Sequence, residues 1–143
     1  MKRNGVLLLL GLLIMAVPGP GLAQEVSLYS QDGTAVAYLA TGAEMSIYLW
    51  NGDPVAYLQG ESVYGFNGRH QGWFKQGIVW NREGRIAGFA EGAITSPTRV
   101  PGLKGLKRSA PARFAREPEP PEMPRTDLWA PIPLQALLAL GRR

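Results

Sequence analysis

The chain contains no cysteine. Disulfides, thiolate nucleophiles and cysteine-ligated metals are therefore closed to it. Histidine is nearly as scarce, with His70 alone, and a single imidazole makes a poor metal site. No metal and no cofactor is expected. No serine sits in a Gly-x-Ser-x-Gly setting, and no glycine-rich turn leads into a helix as a P-loop must. Uncharged apolar runs are also few. The longest, residues 5–17, has thirteen residues, short of the ~20 that span a bilayer.

That run has a recognisable context. Lys2 and Arg3 precede it, Pro18 to Gly21 break it, and Gly21 and Ala23 place small residues at −3 and −1 of a cleavage point before Gln24. The pattern is that of a secretory signal peptide over 1–23. Export to the periplasm or the medium is expected; an uncleaved anchor in the inner membrane is the alternative. The remainder divides by charge. Residues 24–96 hold 4 basic and 7 acidic groups, net −3, and residues 97–143 hold 9 basic and 4 acidic, net +5. Opposite charge and different composition argue for two segments.

Residues 24–96 repeat. Gly33, Gly52, Gly68 and Gly84 are 19, 16 and 16 residues apart and follow Asp32, Asn51, Asn67 and Glu83. Asx-Gly between apolar runs predicts hairpins with type I′ turns. An aromatic stands four before each glycine (Tyr29, Tyr48, Tyr64, Trp80) and another five after (Tyr38, Tyr57, Trp73, Phe89). An aliphatic stands five before (Leu28, Ile47, Val63, Val79), and alanine or glycine four after (Ala37, Ala56, Gly72, Gly88). Strand alternation puts the two rings of a hairpin on one face and the aliphatic opposite the small residue on the other. The fold expected is all-β: four antiparallel hairpins around a pseudo-four-fold axis, since one hairpin is marginal alone and closure removes edges. Gly65, Gly72 and Gly88 fit convergence near that axis or, equally, ordinary bulges.

The strings LYSQDGTAVAYL (28–39), IYLWNGDPVAYLQGESVYGFNGRHQGWF (47–74) and IVWNREGRIAGFAEGA (78–93) resemble the 4-fold beta flower family over about 26–96. The resemblance implies hairpin petals about a pseudo-four-fold axis. It implies no activity and no functional residues, and the signal peptide and the long extension depart from the pattern.

The extension is rich in proline and arginine. Over 97–126 it cannot bury enough apolar surface to offset its ordering entropy, so a disordered linker is expected. Arg99, Lys104, Lys107, Arg108, Arg113 and Arg116 form a run without an acid and are candidates for contact with an anionic membrane surface. Nucleic acid is not expected as a partner of an exported chain. In 127–143, Leu134, Leu137 and Leu138 form a stripe, and Pro133 and Gly141 bound a short helix over 133–140. Such a helix must dock on something.

Candidate binding residues are the aromatics Tyr29, Tyr38, Tyr48, Trp50, Tyr57, Tyr64, Phe66, Trp73, Trp80 and Phe89, either as core or as a surface for an envelope protein, lipid or glycan. His70, two residues past a tip, is expected to be exposed. Glu44, Glu61 and Glu91 follow second strands and would gather at one rim; a pair of them would offer hydrolytic chemistry, but solvated loop charges are commoner. The expected function is a non-enzymatic exported envelope module. A peripheral membrane protein held by its basic tail is the alternative, and a hydrolase the remote one.

Overall fold

The computed structural model describes residues 24–42 and 44–143; the signal-peptide reading of 1–23 lies outside the described residues. The petals begin at their tips. Gly33 N–H donates to Ser30 O and Ser30 N–H to Thr34 O, both at 2.9 Å, and the same pair of bonds recurs at Gly52, Gly68 and Gly84. Only the glycine of each tip has positive φ, at 83°, 93°, 88° and 81°. These are three-residue loops, a type I turn closed by a left-handed glycine, and not the expected type I′ turns. The residue before the glycine needs no unusual backbone, so Glu83 serves where Asn51 and Asn67 do. Asp32, Asn51 and Asn67 each accept from the N–H two residues on. At the fourth tip Asn81 takes over, accepting from Glu83 and Arg85 N–H. A type I′ geometry does occur at the opposite end, where Gln76 and Gly77 are both left-handed, at 52° and 78°.

Eight strands follow: β1 (Glu25–Tyr29), β2 (Ala35–Ala40), β3 (Ser46–Leu49), β4 (Pro54–Gln59), β5 (Ser62–Gly65), β6 (His70–Lys75), β7 (Ile78–Asn81) and β8 (Ile86–Ala90). Each pairs antiparallel with its neighbours, and β1 with β8, closing a barrel. The aliphatic-to-small pairs form as expected: Leu28 with Ala37, Ile47 with Ala56, Val63 with Gly72 and Val79 with Gly88. One step nearer the tip the register slips in all four, so that Val36, Val55, Gln71 and Ala87 are bulged. A bulge bends and twists its strand; four at equivalent places help eight short strands to close.

The rings share a face, but their direct partners lie across petals. Tyr38 pairs with Tyr48, Tyr57 with Tyr64, Trp73 with Trp80, and Tyr29 with Phe89 across the closing seam. Tyr38 and Tyr48 stack at 5.4 Å and Tyr29 and Phe89 at 5.8 Å. The aliphatics from opposite sides of the barrel meet inside it, joined by Leu134 and Leu138. Those leucines belong to α1 (Leu134–Ala139), which plugs the tip end. Gly65 lies against Gly141 and Gly88 against Leu134, so two of the small residues expected near an axis make room for the plug.

Residues 97–126, expected as a disordered linker, contain neither helix nor strand and are mostly exposed. They are nevertheless seated on the barrel as a belt. Gly33 O accepts from Arg99 N–H at 2.8 Å, Gly52 O from Arg108 at 3.0 Å, Gly68 O from Glu117 at 2.9 Å and Gly84 O from Thr126 at 2.9 Å. The donors are nine residues apart each time. A methyl group on these four glycines would strike the carbonyls of Pro97, Leu106, Ala115 and Pro124, again nine apart. The charge contrast that argued for two segments instead joins them. Lys104 and Lys107 pair with Glu25, Arg108 and Arg142 with Asp53, and Lys75 with Glu122. Composition predicts disorder because the belt buries little of itself; it is ordered by backbone bonds to a preformed rim.

Candidate functional site

The two predicted site sets, rings and cations, meet each other. Every expected aromatic is buried except Trp50, which is half-buried and donates from Nε1 to Gly102 O at 3.1 Å. Lys107, Arg116 and Arg125, nine apart, lie 5.2, 5.7 and 5.8 Å from the rings of Tyr48, Tyr64 and Trp80. Lys104 and Arg113, also nine apart, lie 4.3 and 3.7 Å from Tyr38 and Tyr57. Such contacts contribute about 0.5–2 kcal/mol each. Burial pushes the Tyr38 phenol upward against the pull of Lys107, and the hydrogen bond from Lys104 leads in holding the Glu25 carboxyl down. Arg99 donates from Nε to Asp32 O, and Arg113 to Glu44 O. Neither set is a free surface while the belt is in place.

His70, expected to be exposed, is only 2% accessible. It lies edge-on to Tyr64 and Trp73, with centroids at 5.0 and 4.8 Å. Ser62 donates its hydroxyl to Glu119 Oε1 at 2.6 Å, and Trp73 Nε1 donates to the same oxygen at 2.8 Å. His70 Nε2, 3.2 Å from Ser62 Oγ, is then the donor to that oxygen, and Nδ1 is left bare. A serine nucleophile needs the opposite polarity, with a lone pair of the imidazole on its proton. The arrangement clamps the belt to the third petal. Glu117 Oε1 reinforces it by accepting from His70 N–H at 2.6 Å. Burial leads in lowering the His70 pKa, and the Ser62 hydroxyl leads in lowering that of Glu119. Of the expected rim carboxylates, Glu61 faces Lys75 at 3.6 Å and Glu91 accepts from Thr98. Among the described residues no cluster of histidine and carboxylates could hold a metal.

A recess of about 440 Å³ opens between the third and fourth tips and the chain around α1. Arg69, Arg82 and Arg85 stand around it, with Glu83, and Ala130, Ile132, Leu137 and Leu140 give it an apolar wall. Arg82 is 4.0 Å from Glu117; among the described residues no carboxylate lies that close to Arg69 or Arg85. His70 and Gln71 also line the recess, and His70 Nδ1 and Gln71 Oε1 are buried with no partner among the described residues.

A family profile described as 4-fold beta flower protein matches residues 26–138. The chain belongs to the 4-fold beta flower family. No curated protein matches it, and no solved structure does. The match runs well beyond residue 96, so the belt and most of α1 lie within the family's extent and are not the departure that the sequence suggested.

In this flower the recess sits where the repeat breaks its own rule. The residue after the tip glycine is Thr34 and Asp53 in the first two petals, but Arg69 and Arg85 in the last two. The bulged residue is Val36, Val55 and Ala87, but Gln71 in the third petal. The departures among otherwise agreeing columns were the available sequence signal for these residues.

Proposed function

We propose that this flower is a non-catalytic binding module working outside the cytoplasm, in the cell envelope, with its ligand taken at the recess of the third and fourth petals and not on the aromatic faces. The observation that carries the reading is the pair of guanidinium groups at Arg69 and Arg85, which face no carboxylate within 4.0 Å among the described residues, around the open recess. Clefts with an apolar wall and a few converging polar groups are the usual form of a small-molecule site. The locked polarity of His70 and Ser62 supports binding over chemistry, and the pattern at residues 1–23 supports export. The test is tryptophan emission during titration with envelope lipid extracts and envelope glycans. A response lost in the Arg69→Gln/Arg85→Gln double variant is expected. No response to any extract, or one indifferent to the two arginines, overturns the reading.

A second reading, peripheral attachment to a membrane, is favoured by a different observation. Val100, Leu103 and Leu106 project from the first belt segment at 95, 99 and 92% exposure. Burial of these side chains in a bilayer would contribute about 1.5–3 kcal/mol each. Cosedimentation with neutral and anionic vesicles that is lost in V100S/L103S/L106S supports it. Full-length protein that stays in the supernatant with both removes it.

A further inference from the structure

The lining of the recess makes three demands on an occupant. Its charge is positive, with Arg69, Arg82 and Arg85 set against Glu83. Guanidinium groups present paired donors that match carboxylate and phosphate oxygens. One wall, formed by Ile132, Leu137 and Leu140, is apolar. Beside it lie two buried acceptors with no partner among the described residues, His70 Nδ1 and Gln71 Oε1. Native structures rarely leave such atoms unmet. Gln71 stands out because the equivalent bulged positions hold Val36, Val55 and Ala87, which need no partner. Its Nε2 is engaged with Leu138 O at 3.4 Å, so the oxygen is the free end.

Inorganic phosphate would satisfy the arginines alone. An alkyl alcohol would serve the wall and one acceptor but not the arginines. A sugar phosphate would leave the wall uncovered. We propose that the recess binds an amphipathic hydroxy acid: an acyl chain along Ile132, Leu137 and Leu140, an anionic head on Arg69, Arg82 and Arg85, and a hydroxyl near the head that donates to Gln71 Oε1 or His70 Nδ1 once the side chains that close those atoms off move aside. The inference rests on the binding-module reading given above and sharpens it to a chemical class. The volume of about 440 Å³ lies within the usual range for small ligands.

The test is calorimetric titration of the full chain, below micelle-forming concentrations, with 3-hydroxydodecanoate, dodecanoate, 1-dodecanol and inorganic phosphate. The hydroxy acid should bind tightest. Dodecanoate should be about tenfold weaker, the value of one hydrogen bond to a buried acceptor, and the alcohol and phosphate weaker again. Arg69→Gln/Arg85→Gln should weaken both acids by roughly tenfold or more, since each loses charge-assisted bonds, with the melting temperature kept. The preference for the hydroxyl should be lost in Gln71→Leu or in His70→Gln, whichever acceptor takes it, while dodecanoate stays bound. Equal affinity for acid and alcohol, or a hydroxyl preference that survives Gln71→Leu and is also seen in His70→Gln, overturns the inference. So does binding of phosphate as tight as that of the hydroxy acid, although the recess then remains a binding site. If none of the four binds, the amphipathic acid is wrong. The response to envelope extracts in the arginine double variant then decides separately whether the binding-module reading falls too.

Discussion

At the residue scale, His70 is the informative side chain. Burial lowers its pKa in the folded state, with Glu119 and Glu117 opposing and Arg82 assisting. The unfolded chain, with an ordinary histidine near 6.5, therefore binds more protons than the native one between the depressed value and about 6.5. Stability then rises with pH across that window and falls as the pH drops through it. Urea denaturation from pH 5 to 8 should show the rise, and His70→Gln, which keeps a donor for Ser62, should remove it. An unchanged profile in the variant would place the rise elsewhere. The lowered carboxyls act in a separate, more acidic range: Glu119 and Glu25 contribute stability above their unfolded values, lost as the pH falls through the folded ones. A glycine pair tests the tips in the same way. Gly60 is left-handed at 61° with open space where a Cβ would go, whereas Gly68 is left-handed beneath the Ala115 carbonyl. Gly60→Ala should cost about 1 kcal/mol and Gly68→Ala about 3 kcal/mol or more, by the strain of a left-handed alanine and the added collision. Equal losses in thermal unfolding would mean that the belt carbonyl moves aside freely.

At the scale of elements, the belt is the part that sequence reading lost, and the reason is physical. Its regular bonds run from backbone to backbone, from Arg99, Arg108, Glu117 and Thr126, so no single side-chain type marks all four positions. Lys107, Arg116 and Arg125 did carry the nine-residue period in their charges, but a spacing of nine has meaning only once the distance between tips is known. The tips themselves were legible because a left-handed position selects glycine. Leu28 opposite Ala37 was legible because strands alternate. The bulges were not, since Val36 and Val55 are ordinary strand residues. The register of the belt is open to a direct check. Deleting Ser109 leaves the upstream anchors intact and moves Glu117 out of step with Gly68. Hydrogen exchange should then show protection kept at the Arg99 and Arg108 amides and lost at Glu117. Protection unchanged at all of them would show that the belt tolerates slippage.

At the scale of the molecule, the question is whether two compositionally distinct segments form one cooperative unit. The barrel interior is not complete without Leu134 and Leu138, both fully buried among strands contributed by every petal. The outer rings are not covered without Lys104, Arg113 and their neighbours. Eight strands of four to six residues provide little burial of their own, and small folds without disulfides depend on each apolar contact. Leu134→Ala should therefore cost about 2–5 kcal/mol, as for other fully buried leucines. A chain ending at residue 96, which lacks plug and belt together, should show strand signal without a cooperative melt. Were residues 24–96 to unfold in one sharp transition near that of the full chain, belt and plug would be additions to a self-sufficient barrel. Their conjunction at the recess, where Ile132, Leu137 and Leu140 face arginines of the petals, would then be what remains for them to do.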